Sequence, residues 1–109
     1  MKDKRLTGEI PEQIKHAHVQ AMAENLPMLR ARLGLTQEEL GNRIGLTRQS
    51  VNAMESGGRQ ITWGSYLSFL FVFQQNETTR LLLPLLGIYT AELEAYFRVT
   101  DLQYDGLAP

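Results

Sequence analysis

The sequence predicts an all-α protein, and three features of its pattern support this. Apolar residues recur at spacings of three and four along most of the chain, as they do on one face of a helix. Alternation of apolar and polar residues, which is typical of a half-buried strand, is absent from the sequence. Glycines follow several of the helical segments, at positions where helices commonly end. With 109 residues, 43% of them hydrophobic, the chain has the size and composition of one compact domain.

Two helices are predicted before Gly34. Pro11 suits the first position of a helix over about residues 11–24, because the first amides of a helix have no partner within it. Its inward side is predicted from apolar residues at spacings of four, three and four: Ile10, Ile14, Ala17 and Ala21. Asn25 is expected to cap a second helix, in which Pro27 falls in the tolerant first turn. The inward residues of this second helix are Leu26, Leu29 and Leu33.

Two short helices that meet at a tight turn are predicted next. Thr36 and Glu39 have the spacing of a capping box, in which each side chain accepts a hydrogen bond from an unpaired amide at the helix start. Gly45 supplies the left-handed backbone that ends this helix, and Thr47 caps the following one, which ends at Gly57. The residues expected to face inward are Leu40, Ile44, Leu46, Val51 and Met54.

The C-terminal part of the sequence is strongly apolar. Thr62 is expected to cap a helix over about residues 63–75, which has apolar residues on two sides. The predicted core side is Leu67, Leu70 and Phe71, and the second side is Tyr66, Phe69 and Phe73. Pro84 is expected to kink or interrupt a following helical segment. A last helix is suggested by Tyr89, Leu93, Tyr96 and Phe97.

Acidic residues are concentrated toward the C-terminal end. The net charge of the chain is -1, to which residues 1–23 and 24–63 each contribute +1 and residues 64–109 contribute -3. Non-specific binding of nucleic acid requires many phosphates to be neutralised, so this charge argues against indiscriminate coating of DNA or RNA. We expect any polyanion to meet the first 63 residues, with the last third turned away.

The two short helices carry the most informative spacing in the sequence. Between the inward Leu40 and Ile44 stands the small Gly41, which lets the second helix approach the first. The segment Leu29–Gly58 closely resembles the lambda-repressor-like, or Cro/C1-type (XRE), helix-turn-helix family of DNA-binding proteins, and the resemblance extends over residues 24–73. It implies a bundle of about five core helices. To this bundle the sequence adds an N-terminal helix and a C-terminal helical extension.

The resemblance also suggests how the chain is organised and what it does. Residues 1–23 would form an N-terminal arm and helix, residues 24–75 the DNA-binding unit, and residues 76–109 a helical extension for dimerisation within one compact domain. The implied function is that of a sequence-specific transcriptional regulator of bacterial or phage type. Repression by blocking polymerase at an operator is the expected mechanism.

Base contacts are carried over from the family to one outward stripe of the helix over residues 48–56. Arg48 and Gln49 match the positions that enter the major groove, where a guanidinium suits guanine and an amide suits adenine. Asn52 follows Arg48 by one turn, and Ala53 follows Gln49. The methyl of Ala53 could contact only a thymine methyl, so specificity would rest on few hydrogen bonds. The alternative is that this stripe is an ordinary solvated face.

Phosphate contacts are expected around the same helix. Gln37 matches a family glutamine that contacts phosphate at a helix start, and its alternative role is that of an ordinary solvent-exposed residue. Thr47 and Arg59 flank the recognition helix at its two ends. Arg43 is a further candidate, although it stands four residues after Glu39 and could simply pair with it.

Arg30 and Glu55 are interpreted as structural rather than DNA-binding. Relatives pair an arginine of the preceding helix with a glutamate near the end of the recognition helix, and these two residues occupy the matching positions. A desolvated pair of this kind orients two helices and costs about 3–5 kcal/mol to break from one side.

Two arrangements of the apolar C-terminal third remain open. In one, the first and last helices fold back over it within a monomer. In the other, it forms a two-fold dimer interface that spaces two recognition helices about 34 Å apart on a palindromic site. The candidate interface residues are Tyr66, Phe69, Phe73, Leu82, Leu85 and Leu86. The second arrangement is favoured, because one short helix with few base contacts gives limited affinity.

Other classes of function are poorly supported by the sequence. No nucleophile or acid–base pair is spaced for catalysis, and no glycine-rich phosphate loop, cofactor site or small-molecule pocket is evident. His16 and His18 stand two residues apart, whereas a metal-binding pair on a helix favours a spacing of four, so they are expected to face solvent or a partner. No run of about 18 apolar residues predicts a membrane span. The absence of cysteine is compatible with the cytoplasm.

One rival function keeps the same fold. A helix-turn-helix bundle can also act as a protein-interaction module, for example an antitoxin-like partner that hides its apolar C-terminal surface in another protein. The acidic C-terminal part and the small Ala53 are compatible with this alternative.

Overall fold

The computed structural model describes residues 4–99, and within this range all regular structure is helical, which confirms the predicted all-α class. The helices are α1 (Lys4–Thr7), α2 (Glu12–Arg32), α3 (Gln37–Ile44), α4 (Arg48–Ser56), α5 (Trp63–Gln74), α6 (Glu77–Arg80), α7 (Leu82–Leu85) and α8 (Ala91–Phe97). Parts of the predicted N-terminal arm (residues 1–3) and of the predicted C-terminal extension (residues 100–109) lie outside the described residues.

The two helices predicted before Gly34 are a single helix, α2. The predicted cap Asn25 lies inside it, and its Nδ2 donates to the carbonyl of Ala21 at 2.8 Å. Pro27 also lies within the helix. The prediction of a break was wrong because the buried positions continue through the proline at helical spacing: His18, Met22, Leu26 and Leu29. The predicted domain division between residues 23 and 24 falls inside α2.

His18 belongs to the core, contrary to the expectation that it faces solvent or a partner. Only 4% of its surface is exposed, whereas Ala17, which was expected to face inward, is exposed. Its Nδ1 donates to the carbonyl of Ile14, and its Nε2 lies 2.7 Å from Oγ1 of Thr90. Thr90 Oγ1 also accepts from the amide of Leu93 and so caps α8. This contact therefore joins α2 to the start of the last helix.

The local signals around α3 and α4 are confirmed. Thr36 and Glu39 form both hydrogen bonds of the capping box, and Gly45 ends α3 with a φ of 76°. Thr47 caps α4 through the amide of Ser50, and Gly57 ends it with a φ of 83°. Leu40, Val51 and Met54 are buried, as predicted, whereas Ile44 and Leu46 are half-buried.

Gly41 marks the closest approach between α3 and the turn that follows it. A Cβ atom at this position would stand 2.3 Å from the carbonyl oxygen of Leu46 and 3.4 Å from a methyl group of Val51. The amide of Leu46 meanwhile donates to the carbonyl of Gly41 at 2.9 Å. The turn therefore packs directly against the backbone of Gly41, where a side chain would not fit, in agreement with the small residue expected at this position.

Helix α5 faces the core with the second of its two predicted sides, joined by Leu70 from the predicted core side. Tyr66, Phe69 and Phe73 are completely buried and Leu70 is 7% exposed, whereas Leu67 is half-buried and Phe71 is 69% exposed. Three aromatic rings remove more apolar surface from water than the Leu67 side can, so the core takes the aromatic side. The Tyr66 hydroxyl donates to the carbonyl of Ile88, and burial raises the pKa of this phenol.

The chain itself covers these aromatic rings, in the arrangement expected of a monomer core. Leu83, Ile88 and Leu93 from the C-terminal helices and their connections are buried in the same cluster. The segment is interrupted at Leu81, where a continuing helix would set the ring of Pro84 against the carbonyl of Arg80. The N-terminal helix α1 packs against α8. The C-terminal helices thus cover α5, and α1 packs on the last of them.

The predicted ion pair between Arg30 and Glu55 is present and joins α2 to α4. Arg30 Nε donates to Glu55 Oε2 at 2.6 Å, Nη2 donates to Oε1 at 3.1 Å, and Nη1 donates to the carbonyl of Leu35 at 2.8 Å. The side chain of Glu55 is 7% exposed and that of Arg30 is 21% exposed. The hydrogen bonds to Glu55 raise the pKa of the Arg30 guanidinium above its usual value. The pair holds α4 at a fixed angle to α2.

We expect Gly41→Ala to destabilise the protein by about 1–3 kcal/mol, because the new methyl group overlaps a backbone oxygen that must move. Gly64→Ala is the matched control, since a Cβ there meets nothing within 4 Å and helix propensity favours alanine by up to about 1 kcal/mol. Urea unfolding followed by circular dichroism measures both. Equal stability of the two variants would contradict the close approach.

We expect Arg30→Met to cost about 3 kcal/mol of unfolding free energy, because it leaves a buried carboxylate with Gln37 as its remaining donor. Glu55→Gln should cost less, since Arg30 keeps the Leu35 carbonyl and reaches solvent. Arg98→Met breaks the exposed pair with Glu94 and should change stability by less than about 0.5 kcal/mol. Thermal and urea unfolding of the three variants test this order.

Candidate nucleic-acid interface

The first turn of α4 presents two free polar side chains. Thr47 caps the helix, so Arg48 and Gln49 occupy its first two positions, and both are exposed. Their side chains make no hydrogen bond or ion pair with residues 4–99. Val51 and Met54 on the opposite side are buried, which fixes the rotation of the helix. The structure therefore places Arg48 and Gln49 where the sequence predicted them, and they are available to a ligand.

The other two candidates for base contact differ from each other. Asn52 is exposed one turn after Arg48, and its Oδ1 accepts from Gln37 Nε2 at 3.2 Å. Ala53 is half-buried, and its carbonyl accepts from the amide of Arg59 at 3.1 Å. The methyl group of Ala53 is therefore less accessible than the three polar side chains.

Gln37 is tied to α4 by its side chain. Its Nε2 donates to Asn52 Oδ1 and, at 3.0 Å, to Glu55 Oε1, so both of its N–H groups are used within the protein. The expected phosphate contact through this side chain is therefore not available in the described conformation. The backbone amides of Gln37 and Glu38, in the first turn of α3, have no acceptor within residues 4–99. They retain the donor capacity of a helix start.

Arg59 lies beside the beginning of the recognition helix. Its Nη1 donates to Ser50 Oγ at 2.9 Å, and Ser50 Oγ also accepts from the hydroxyl of Thr47 at 3.0 Å. The amide of Arg59 donates to the carbonyl of Ala53, which anchors the loop after α4. Ser50 was not singled out from the sequence. The signal that could have found it is a serine placed three residues after the capping threonine.

Arg43 is exposed near the end of α3 and turns back onto its own helix. Its Nη1 donates to the backbone carbonyl of Glu39 at 2.8 Å. The carboxylate of Glu39 instead accepts from the amide of Thr36 at 2.9 Å. Hydrogen bonds from Thr36 hold the pKa of the Glu39 carboxyl below its usual range. Arg43 thus contacts Glu39, which was the alternative to a phosphate contact, but it does so through the backbone carbonyl and not through an ion pair.

The electrostatic character of this surface follows from these contacts. Arg43, Arg48 and Arg59 are all exposed, and none forms an ion pair with a carboxylate in the part of the chain that the structure describes. Glu55 is neutralised by Arg30, and Glu39 is held in its cap. Two of these guanidinium groups, Arg48 and Arg59, stand beside the start of α4, where they are suited to an anion.

The predicted dimer residues are separated by the fold. Tyr66, Phe69 and Phe73 are buried within one chain, so they cannot line a surface between copies, and that part of the prediction was wrong. Leu82 and Leu86 are half-buried, and Leu85 is 80% exposed. An open groove of about 240 Å³ instead lies on the outer side of α5. It is lined by Leu67, Leu70, Phe71, Gln74, Tyr89 and Phe97.

Residues 4–99 contain neither a cluster suited to a metal ion nor a helix suited to a membrane. No group of three or more histidine, aspartate or glutamate side chains is arranged there to bind a metal ion. Among the helices of the same range, none combines the length and the apolar content needed to cross a membrane.

The region that carries this surface is similar to known proteins. Residues 28–62 match the helix-turn-helix family model. An uncharacterized HTH-type transcriptional regulator, YgzD of Bacillus subtilis (strain 168), is 50% identical over 36 residues, which are 33% of this chain and 54% of that protein. An uncharacterized HTH-type transcriptional regulator of Methanothermobacter thermautotrophicus is 61% identical over 28 residues, which are 26% of this chain and 41% of that protein. No solved structure matches the chain.

These similarities cover the segment whose geometry was described above. The chain spans about half the length of the curated relatives it matches. The matched residues run from the last part of α2, through α3 and α4, to the cap of α5. This segment contains four of the features described above. They are the capping box, the left-handed Gly45, the close approach at Gly41, and the ion pair between Arg30 and Glu55. Residues 28–62 of this chain are thus similar to the helix-turn-helix family, and they contain two short helices joined by a tight turn.

Proposed function

We propose that this protein is a sequence-specific DNA-binding transcriptional regulator that acts as a repressor and inserts α4 into the major groove. The observation that carries the proposal is the pair Arg48 and Gln49, exposed and unpaired within residues 4–99, at the start of a helix fixed by a buried opposite side. The relatives' names, HTH-type transcriptional regulators, support it. A protein bound in this way at a promoter blocks access of polymerase.

The proposed base contacts follow from the chemistry of the free groups. The Arg48 guanidinium can donate twice to O6 and N7 of guanine, and the free Gln49 amide can bind N6 and N7 of adenine. Asn52 adds a contact one turn along the helix. Ala53, half-buried, would supply at most contact with a thymine methyl. Each bidentate pair contributes about 1–3 kcal/mol of discrimination between bases.

The proposed phosphate contacts surround this stripe. Arg59 is anchored on Ser50, so its remaining N–H groups can bind the DNA backbone at the start of α4. Thr47 is exposed at the same place, and Arg43 is exposed on α3. The side chain of Gln37 is engaged within the protein, so it does not make the expected phosphate contact. We propose that the free backbone amides in the first turn of α3 bind phosphate instead.

We further propose that two copies bind an inverted repeat through the groove on α5. Phe71 lines the groove and is 69% exposed. In a dimer with a two-fold axis, Phe71 of each copy would enter the groove of the other copy. One aromatic side chain buries about 150–250 Å², whereas a standard interface buries about 1,200–2,000 Å² in total. The apolar centre is therefore small, and we expect a weak dimer that the operator stabilises.

A second function is favoured by the same groove. Its apolar lining and the exposed Leu85 could bind another protein, as an antitoxin-like partner would. The two functions differ in their dependence on salt. Binding of DNA weakens log-linearly as salt rises, whereas binding of an apolar partner does not.

Neither function requires catalysis. We propose that the protein is not an enzyme and uses no cofactor or small-molecule substrate. A regulator of this kind acts in the compartment that holds its DNA, which in a bacterium or a phage-infected bacterium is the cytoplasm.

Selection of binding sites from random duplex DNA should enrich an inverted repeat. Arg48→Ala should then relax base preference at one pair in each half-site, whereas Arg59→Ala should weaken binding to all sequences about equally and lower the slope of log Kd against log salt by about 1. Arg80→Ala, an exposed arginine on α6, is the matched control and should bind as the unaltered protein does. Fluorescence anisotropy over a salt series measures all three.

The results would separate the two functions. If no sequence is enriched and binding does not depend on salt, the DNA-binding proposal is wrong. If Arg48→Ala and Arg59→Ala have the same effect on every sequence, the division between base and phosphate contacts is wrong.

Phe71→Glu should convert the two-protein complex on an inverted repeat into a one-protein complex, because a charge cannot enter the apolar groove of the other copy. We expect binding to lose its cooperativity and to weaken by about tenfold or more. Gln20→Glu adds the same charge at an exposed position of α2 outside the groove and should leave stoichiometry unchanged. Sedimentation velocity of the protein–DNA complexes distinguishes these outcomes. A two-protein complex with Phe71→Glu would exclude this interface.

A further inference from the structure

A chain of hydrogen bonds runs from the buried ion pair to the surface of the recognition helix. Glu55 Oε1 accepts from Arg30 Nη2 at 3.1 Å and from Gln37 Nε2 at 3.0 Å. The same nitrogen of Gln37 donates to Asn52 Oδ1 at 3.2 Å. The chain therefore connects a side chain that is 7% exposed, Glu55, to an exposed residue of the base-reading stripe.

The direction of each hydrogen bond in this chain is fixed by its buried end. An ionised carboxylate has no proton to donate, so the Gln37 atom beside Glu55 is its amide nitrogen. Because the second N–H of that nitrogen points at Asn52, the Asn52 atom there is the acceptor, Oδ1. Rotating the Asn52 amide by half a turn would set two NH2 groups against each other. The Asn52 amide is thus oriented by Glu55, through Gln37.

The consequence for Asn52 is that its oxygen already accepts one hydrogen bond and keeps one lone pair, whereas both N–H groups of its nitrogen remain for a ligand. We propose that Asn52 acts chiefly as a donor that reads a hydrogen-bond acceptor, O6 or N7 of guanine or O4 of thymine, and that Gln37 is the positioning residue that favours this choice. This inference rests on the proposed function and deepens it.

Adenine is disfavoured by this arrangement. An asparagine that reads adenine uses its oxygen to accept from N6 while its nitrogen donates to N7. Here Gln37 occupies one lone pair of that oxygen and fixes the direction of the amide, so the exocyclic amine of adenine must use the one remaining lone pair in the orientation that Gln37 sets, or displace Gln37. Gln49, whose side chain bonds to nothing within residues 4–99, keeps both groups free. The two amides of one helix face therefore have different readouts, and we expect guanine or thymine to exceed adenine by roughly five- to hundredfold at the Asn52 pair.

The experiment begins with the unaltered full chain and random duplex DNA. Selection defines the preferred site, and repeating it with Asn52→Ala identifies the base pair that Asn52 reads. Selection with Gln37→Met then tests the positioning role, because methionine keeps the length and helix propensity of glutamine but has no N–H group. We expect the preference for guanine or thymine over adenine to fall by about tenfold or more at that pair alone. Preferences at the pairs read by Arg48 and Gln49 should not change.

A second variant reverses the chemistry. Asn52→Asp keeps the shape but presents only acceptors, so selection should shift at the same pair toward cytosine, whose N4 is a donor. The acceptor at this pair can be weakened one at a time, with 7-deazaguanine for N7, 6-thioguanine for O6 or 4-thiothymine for O4. One of these changes should weaken binding of the unaltered protein and leave binding of Asn52→Ala unchanged. Circular dichroism and thermal unfolding show that each variant remains folded, so a change of base preference is not a loss of fold.

The possible failures are distinguishable. If the unaltered protein enriches no site, the proposed function is wrong and this inference is wrong with it. If a site is enriched but Asn52→Ala changes no base preference, or if Gln37→Met leaves the preference at the Asn52 pair as it was, only the inference is overturned. Selection of adenine at that pair by the unaltered protein, with both its N6 and N7 required, would also overturn it.

Discussion

The Glu55 carboxylate is a charge held out of water at the meeting point of three helices, and it must receive enough hydrogen bonds to remain there. Arg30 from α2 donates twice and Gln37 from α3 donates once, while Glu55 itself belongs to α4. Satisfying this one group therefore fixes α2, α3 and α4 relative to one another. Packing alone permits small rotations of short helices, but the directed hydrogen bonds of a bidentate pair do not. The orientation of α4 depends on this constraint.

Stability and the proposed recognition of DNA consequently depend on different sides of α4, a helix of nine residues. Val51, Met54 and Glu55 hold α4 in place, so the first turn can leave Arg48 and Gln49 without partners in the part of the chain that the structure describes. Because these two side chains make no hydrogen bond or ion pair within that part of the chain, they break none when they bind a ligand. Asn52 lies between the two classes, because it is exposed but oriented from inside by Gln37.

The sequence predicts best what neighbouring residues decide. Thr36 with Glu39, Thr47, Thr62 and Gly45 act within one turn of chain, and all form the caps or ends expected of them. It predicts poorly what distant contacts decide. The continuation of α2 through Pro27 and the burial of Tyr66 rather than Phe71 depend on which elements cover each face. In the candidate site, the resemblance located Arg48 and Gln49, but the link from Gln37 to Asn52 joins residues 15 apart and follows from the folded geometry alone.

The length of α2 has its explanation in the core rather than in the DNA-binding segment. Residues 28–62 match the family model, yet α2 begins at Glu12, so most of the helix precedes that match. This preceding part places Met22 in the same buried cluster as the rings of α5, and it places His18 against Thr90, the cap of α8. The cap, in turn, fixes the start of the helix that contributes Leu93 to the cluster. The aromatic side of α5 is thus closed by residues that lie before and after the helix-turn-helix segment, which leaves Phe71 as the large apolar side chain of α5 that faces outward.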